Sequence, residues 1–163
     1  SVNATLVPKI STFSELPDVE NSLYVFDIDE TMIVFEEVSD EWWSRNFEKI
    51  YNETKDCEYA SNRMGKLFVE VIKKNKHLPT DIDGFRKIEN SLGETNNTIV
   101  FLTARPQTLE TITYRQIETL GLRNTYPIYF SSEKGIKMRW LKEKMQTTYE
   151  NIIFVDDKIY NIE

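Results

Sequence analysis

Four short, almost unbroken apolar runs constrain this chain more than any other feature: Leu23-Tyr24-Val25-Phe26, Ile99-Val100-Phe101-Leu102, Ile128-Tyr129-Phe130 and Ile152-Ile153-Phe154-Val155. Each has the length of a strand and is rich in β-branched and aromatic residues. A strand with one wet face alternates apolar and polar residues; a continuous run belongs to a strand covered on both faces, as in a parallel sheet. Helical patterns lie between the runs. Pro106 opens one, with Leu109, Ile112, Ile117 and Leu120 as an apolar stripe and Gly121 as its stop. Ile136, Trp140, Leu141 and Met145 make another. Strands that alternate with helices imply right-handed crossovers and a doubly wound α/β sheet.

The stretch from residue 36 to 93 has a different character. Trp43, Phe47, Ile50 and Tyr51 recur at helical spacing, as do Met64, Leu67, Phe68, Val71 and Ile72. Phe85, Ile88 and Leu92 suggest a third helix. The expectation is an all-helical insert after the first strand, with residues 1–35 and 94–163 forming the α/β core. Ser11 to Leu16 reads as a short capped helix ahead of that strand.

Composition narrows the function classes. The net charge of −7 argues against a nucleic-acid backbone or an anionic membrane as the main partner. A single cysteine, Cys57, leaves no intrachain disulfide. A single histidine, His77, read as a solvated helix-end residue, excludes multi-histidine zinc sites and weakens a Ser/His hydrolase reading. No run approaches the ~20 apolar residues of a membrane span. The chain opens on Ser1 rather than Met, which reads as a processed or trimmed form.

The chemistry follows the apolar runs. After the first comes Asp27-Ile28-Asp29-Glu30-Thr31; after the second, Thr103-Ala104-Arg105; after the third, Ser131-Ser132-Glu133-Lys134; after the fourth, Asp156-Asp157-Lys158. The carboxyl ends of parallel strands share one edge, where ligands bind in open α/β sheets. Crowded carboxylates must share a proton or a cation. Asp27, Asp156 and Asp157 are oxygen donors of the kind Mg²⁺ takes. Asp27 is then placed to attack phosphorus, Asp29 to protonate the leaving oxygen and activate water, and Thr103 and Lys134 to bind the transferring oxygens. Each signal alone has a plain reading: Asp-x-Asp pairs are mostly solvated turns, and Thr103-Ala104-Arg105 reads most simply as a helix cap followed by a surface Arg. Their conjunction, each just after a buried strand, is what points to phosphoryl transfer.

Phe26-Asp27-Ile28-Asp29-Glu30-Thr31 resembles the first motif, DxDxT, of the haloacid dehalogenase superfamily. Val100 to Thr103 is similar to its second motif, Lys134 (with Lys137 as competitor) to its third, and Val155-Asp156-Asp157 to its fourth. The resemblance implies a Rossmann-like fold, Mg²⁺ dependence and a metal held by Asp27, the backbone carbonyl of Asp29 and Asp156. It also implies that Asp157 or Asn161 supplies the further polar group of the fourth motif. An insert between the first two motifs is the cap position of the superfamily, and the second Asp of the first motif, Asp29, favours phosphate chemistry over dehalogenation. A small phosphomonoester is the expected substrate, with the insert covering the site. Trp42, Trp43, Tyr51 and Tyr59 in the insert read more simply as core than as a substrate platform. Three rival readings are a catalytically silent binding module of the same fold, a receiver-like phospho-signalling domain and a nucleotide-sugar transferase. The receiver lacks such an insert and orders its acids, Thr and Lys differently; the transferase leaves Thr103, Lys134 and the Asp156-Asp157 pair without a role.

Overall fold

A computed structural model of the chain describes residues 3–7, 12–131 and 149–156. The element order begins with strand β1 (Asn3–Val7), a 3-10 turn at Phe13–Glu15 and strand β2 (Ser22–Phe26). Then come β3 (Ile33–Phe35), helices α1 (Asp40–Thr54) and α2 (Cys57–Lys73), β4 (His77–Pro79) and helix α3 (Ile82–Thr95). Strand β5 (Thr98–Thr103), a 3-10 turn at Gln107–Leu109, helix α4 (Glu110–Glu118), β6 (Ile128–Phe130) and β7 (Asn151–Val155) follow. All four apolar runs are strands. The second expected stripe, from Ile136 to Met145, lies outside the described residues.

The main sheet runs in the order β1-β7-β2-β5-β6 with parallel pairing throughout. From β2 the chain steps outward through β5 to β6 and then returns to the other side of β2 as β7. This is the winding of a Rossmann-like α/β sheet, and its strand order reverses between β2 and β7. The insert therefore follows the second strand and not the first. Strand β1 was not expected, since Asn3-Ala4-Thr5-Leu6-Val7 is only weakly apolar. It adds to the outer side of β7, with Asn3 opposite Asn151 and Val7 opposite Val155.

Period-2 geometry divides the buried strands between two cores. Leu23, Val25, Val100, Leu102, Ile152 and Phe154 cluster together, with Tyr129 and Tyr149 against them. The alternate residues build an aromatic core: the ring of Phe85, from α3, lies 5.0 Å from Phe26, 6.0 Å from Phe101 and 6.1 Å from Tyr126. Phe13 meets Phe26 edge-on at 5.4 Å. Because β2, and β5 and β7 beyond their first residues, are buried on both faces, carboxylates can enter these strands only where they stop.

Helix α3 belongs to the larger of two compact units, which comprises residues 1–33 and 79–163. The expected insert, 36–93, thus differs at its C-terminal border from the smaller unit, Val34–Leu78. The physical reason is the tie between α3 and the turn at Phe13. Asp81 caps α3 by accepting from the Gly84 N–H at 3.0 Å, while its other oxygen accepts from the Phe13 N–H at 2.7 Å and from the Thr12 hydroxyl. Burial pushes the Asp81 carboxyl up, but the hydrogen bonds from Thr12, Gly84 and Phe13, with Lys87 nearby, outweigh it and hold the group below its ordinary value of 3.8.

The smaller unit pairs α1 with α2. Ser39 and Asp56 cap them, accepting from the N–H groups of Trp42 and Tyr59. Ile50, Ala60 and Met64 are buried between the helices, with Trp42, Trp43, Phe47, Tyr51 and Leu67 packed against them. Trp42, Trp43 and Tyr51 are half-buried against this small core, and Tyr59 is exposed. The insert is not wholly helical. The chain leaves and returns through β3 and β4, which form a two-stranded sheet too short to register as a pattern. His77 is half-buried in β4 and not a solvated helix end.

Two outcomes follow for stability. A Cβ at Gly84 would lie 2.1 Å from an Asp81 carboxylate oxygen, so Gly84→Ala displaces the cap and is expected to cost about 1–2 kcal/mol. Gly93→Ala, on the same helix with open space around it, is expected to gain about 0.5–1 kcal/mol; urea midpoints compare the two. For pH, the lowered folded-state value of Asp81 contributes stability that is present above about pH 4 and lost as pH falls through the folded value. Asp81→Asn, which cannot ionise, is expected to flatten the decline of the urea midpoint below pH 4.

Candidate functional site

Strands β2 and β7 end side by side at the point where the strand order reverses. Their register pairs Phe26 with Val155, and the Asp27 N–H donates to the Val155 carbonyl at 2.9 Å. One residue further along each strand stand Asp27 and Asp156. Neighbouring strands run about 4.8 Å apart, so two carboxylates from opposite ends of the chain share one rim. Asp27 is buried, only 8% exposed, and Asp156 is half-buried.

Beyond Asp27 the chain turns sharply. The Ile28 carbonyl accepts from the N–H groups of Thr31, Met32 and Ile33 at 2.8–3.2 Å. Glu30 adopts a left-handed backbone, φ 65°, and donates its N–H to Ile33 at 2.8 Å. A non-glycine residue there costs roughly 1 kcal/mol, which the closed turn offsets. The turn sets Asp29 against Arg105.

That contact is the best-defined feature of the site. Arg105 Nε donates to Asp29 Oδ2 at 3.0 Å and Nη2 donates to Oδ1 at 2.7 Å, a two-point bridge. Nη1 donates to Thr113 Oγ1 at 3.0 Å and to Gln116 Oε1 at 2.8 Å, both on α4. The Arg105 side chain is 1% exposed and that of Asp29 is 19% exposed. Such planar bidentate pairing is what a guanidinium fork provides and an ammonium does not.

Thr103, at the end of β5, is fully buried. Its hydroxyl accepts from the Arg105 N–H at 3.1 Å, a bond that uses a lone pair and not the hydroxyl hydrogen. Its carbonyl accepts from the N–H and hydroxyl of Ser131, which ends the neighbouring strand β6. The structure therefore brings Asp27, Asp29, Thr103 and Asp156 to one edge of the larger unit. Lys134, Lys137, Asp157 and Asn161 lie outside the described residues.

Sequence reasoning did not foresee the part played by Arg105, which it reads as a surface residue after a helix cap. The available signal was on α4. Its buried residues are Thr113, Gln116 and Ile117, flanked by the buried Leu109 and Leu120, so two polar side chains interrupt an apolar stripe and call for a buried polar partner.

As for a cation, no group of three or more His, Cys, Asp or Glu side chains suited to a metal ion occurs among the described residues. Two carboxylates on adjacent strand ends do fit Mg²⁺, which takes one or two carboxylates and keeps several waters. Also among the described residues, no helix is long and apolar enough to cross a membrane.

Fold and site together define a Rossmann-like α/β protein with an acidic strand-end cluster at its topological switch point. The chain belongs to the family described as "Protein of unknown function (DUF2608)", whose model matches residues 3–126. That span includes Asp27, Asp29, Thr103 and Arg105 and stops before Asp156. No curated protein matches the chain.

The ion pair makes a direct prediction. Asp29→Ala strands a buried guanidinium and is expected to cost about 3–5 kcal/mol in chemical denaturation. On an Arg105→Met background the same change is expected to cost far less, so a double-mutant cycle measures the coupling.

Proposed function

We propose that the chain is a Mg²⁺-dependent phosphomonoester hydrolase of the haloacid dehalogenase type. The observation that carries this reading is the meeting of Asp27 and Asp156 at the ends of β2 and β7, with Asp29 held two residues away by Arg105. In this reading Asp27 and Asp156, with the Asp29 carbonyl, hold the cation. When bound, Mg²⁺ offsets the negative charge that a phosphate brings to an acidic rim.

The chain's own groups carry the steps. An Asp27 oxygen attacks phosphorus as the bond to the leaving oxygen breaks, and Asp29 gives that oxygen its proton. Asp29, now ionised, takes a proton from water as the water attacks the phosphoryl group. The acyl–phosphate bond breaks, releasing inorganic phosphate and restoring both side chains. Thr103 is the hydroxyl donor to a phosphoryl oxygen, and Lys134 supplies positive charge.

The test is phosphate release from a panel of phosphomonoesters. Turnover is expected with Mg²⁺ and lost on chelation. Asp27→Asn is expected to abolish it, and Asp29→Asn to lower it by roughly 10²–10⁴-fold. Tight binding of phosphate compounds without turnover would instead support a silent binding module.

A further inference from the structure

Arg105 is a buried charged side chain to which the proposed steps give no task. Four of its N–H donors are committed, two to Asp29 and two to α4. It is 1% exposed on its side chain, so a substrate has no route to it. One further bond fixes its position. Its backbone N–H is held by the Thr103 hydroxyl, and Thr113 and Gln116 stand one helical turn apart on the buried face of α4. The guanidinium is therefore clamped from behind and presents one flat edge to Asp29.

We propose that Arg105 is the positioning residue of the acid/base: its two-point bridge fixes the Asp29 carboxyl plane, and through Thr113 and Gln116 it makes helix α4 the reference for where that carboxyl stands. The inference rests on the phosphatase reading and goes beyond it, because nothing in the strand-end motifs assigns Arg105 or α4 a part in catalysis. The geometry allows the role. A carboxylate has about four lone-pair sites, and the bridge takes one on each oxygen, leaving a position open for the proton it transfers. Asp29 keeps a 19% exposed edge, whereas Arg105 has none. Without the bridge Asp29 sits on a short turn, and a small misplacement of a catalytic group is costly.

Leaving-group dependence separates positioning from simple support of the fold. 2,4-Dinitrophenolate departs without a proton, and an alkoxide does not. The full chain is assayed with Mg²⁺ on 2,4-dinitrophenyl phosphate and on β-glycerophosphate, in wild type and Arg105→Lys, with circular dichroism to establish equal folded fractions. Arg105→Lys keeps the charge and loses the planar fork. It is expected to lower kcat for β-glycerophosphate by ~10²-fold or more, with KM little changed. The pre-steady-state burst of dinitrophenol is expected to keep its rate. The steady state after it slows, since Asp29 also serves the hydrolytic step. Thr113→Val with Gln116→Leu, which leaves Arg105 in place, is expected to shift both readouts the same way by a smaller factor, and it serves as the test should Arg105→Lys not fold. Equal losses on both substrates, or no loss, would overturn the positioning role while leaving the phosphatase reading intact. A wild-type protein inactive on both substrates would overturn that reading, and the positioning role with it.

Discussion

The hydrogen bond from the Asp27 N–H to the Val155 carbonyl closes the ladder between β2 and β7, and the geometry of the acidic rim depends on it. Parallel strands covered on both faces must satisfy their backbone groups against one another, which leaves no place for charge along their length. The ladder also fixes register. A slip of one residue would turn Val25 and Phe154 from one core to the other, at the cost of burying the wrong set of side chains. The packing of the two cores thus determines where each strand ends, and with that which carboxylates become neighbours.

Neighbouring carboxylates repel, and the fold answers this in two ways. Asp29 has a permanent counter-charge, Arg105, built into the larger unit and tied to α4. Asp27 and Asp156 sit where an exchangeable cation fits, in keeping with the proposed Mg²⁺ dependence. The division has a physical logic. A guanidinium held by four hydrogen bonds stays in place, so it suits a group whose orientation must persist. A hydrated divalent ion can rearrange its waters, so in the proposed reaction it would suit the side that admits and releases phosphate.

Much of the larger unit was legible because its signals are local. Apolar continuity located β2, β5, β6 and β7, and the letters after each run located Asp27, Asp29, Thr103 and Asp156. What escaped notice depends on partners distant in sequence. Strand β1 is recognisable only by its pairing with β7, some 148 residues later, at the sheet edge where a weakly apolar segment suffices. Strands β3 and β4 have three residues each, below the length at which a period shows. The border of the insert was misjudged because the three amphipathic helices look alike, and only the bonds from Thr12 and Phe13 to Asp81 draw α3 to the larger unit. Arg105 reads as a surface residue because a lone Arg after a strand says nothing of what lies beneath it. Thr113 and Gln116, eight and eleven positions after Arg105, gain meaning only once the helix is folded against the strand end.

The span of the family match bears on which part of the chain makes the sheet. Residues 3–126 contain β1 and β2 but not β7, the strand that lies between them. β1 has β7 as its neighbour in the sheet, and β2 is joined to β7 along five residue pairs. A chain cut at residue 126 would leave β1 without its partner, expose one edge of β2 and lose the Val155 carbonyl that anchors Asp27. The matched segment carries Asp27, Asp29, Thr103 and Arg105, yet the rim they share is assembled only when residues 151–156 thread between the first two strands. The smallest piece that can present the acidic cluster is therefore longer than the region by which the family is recognised.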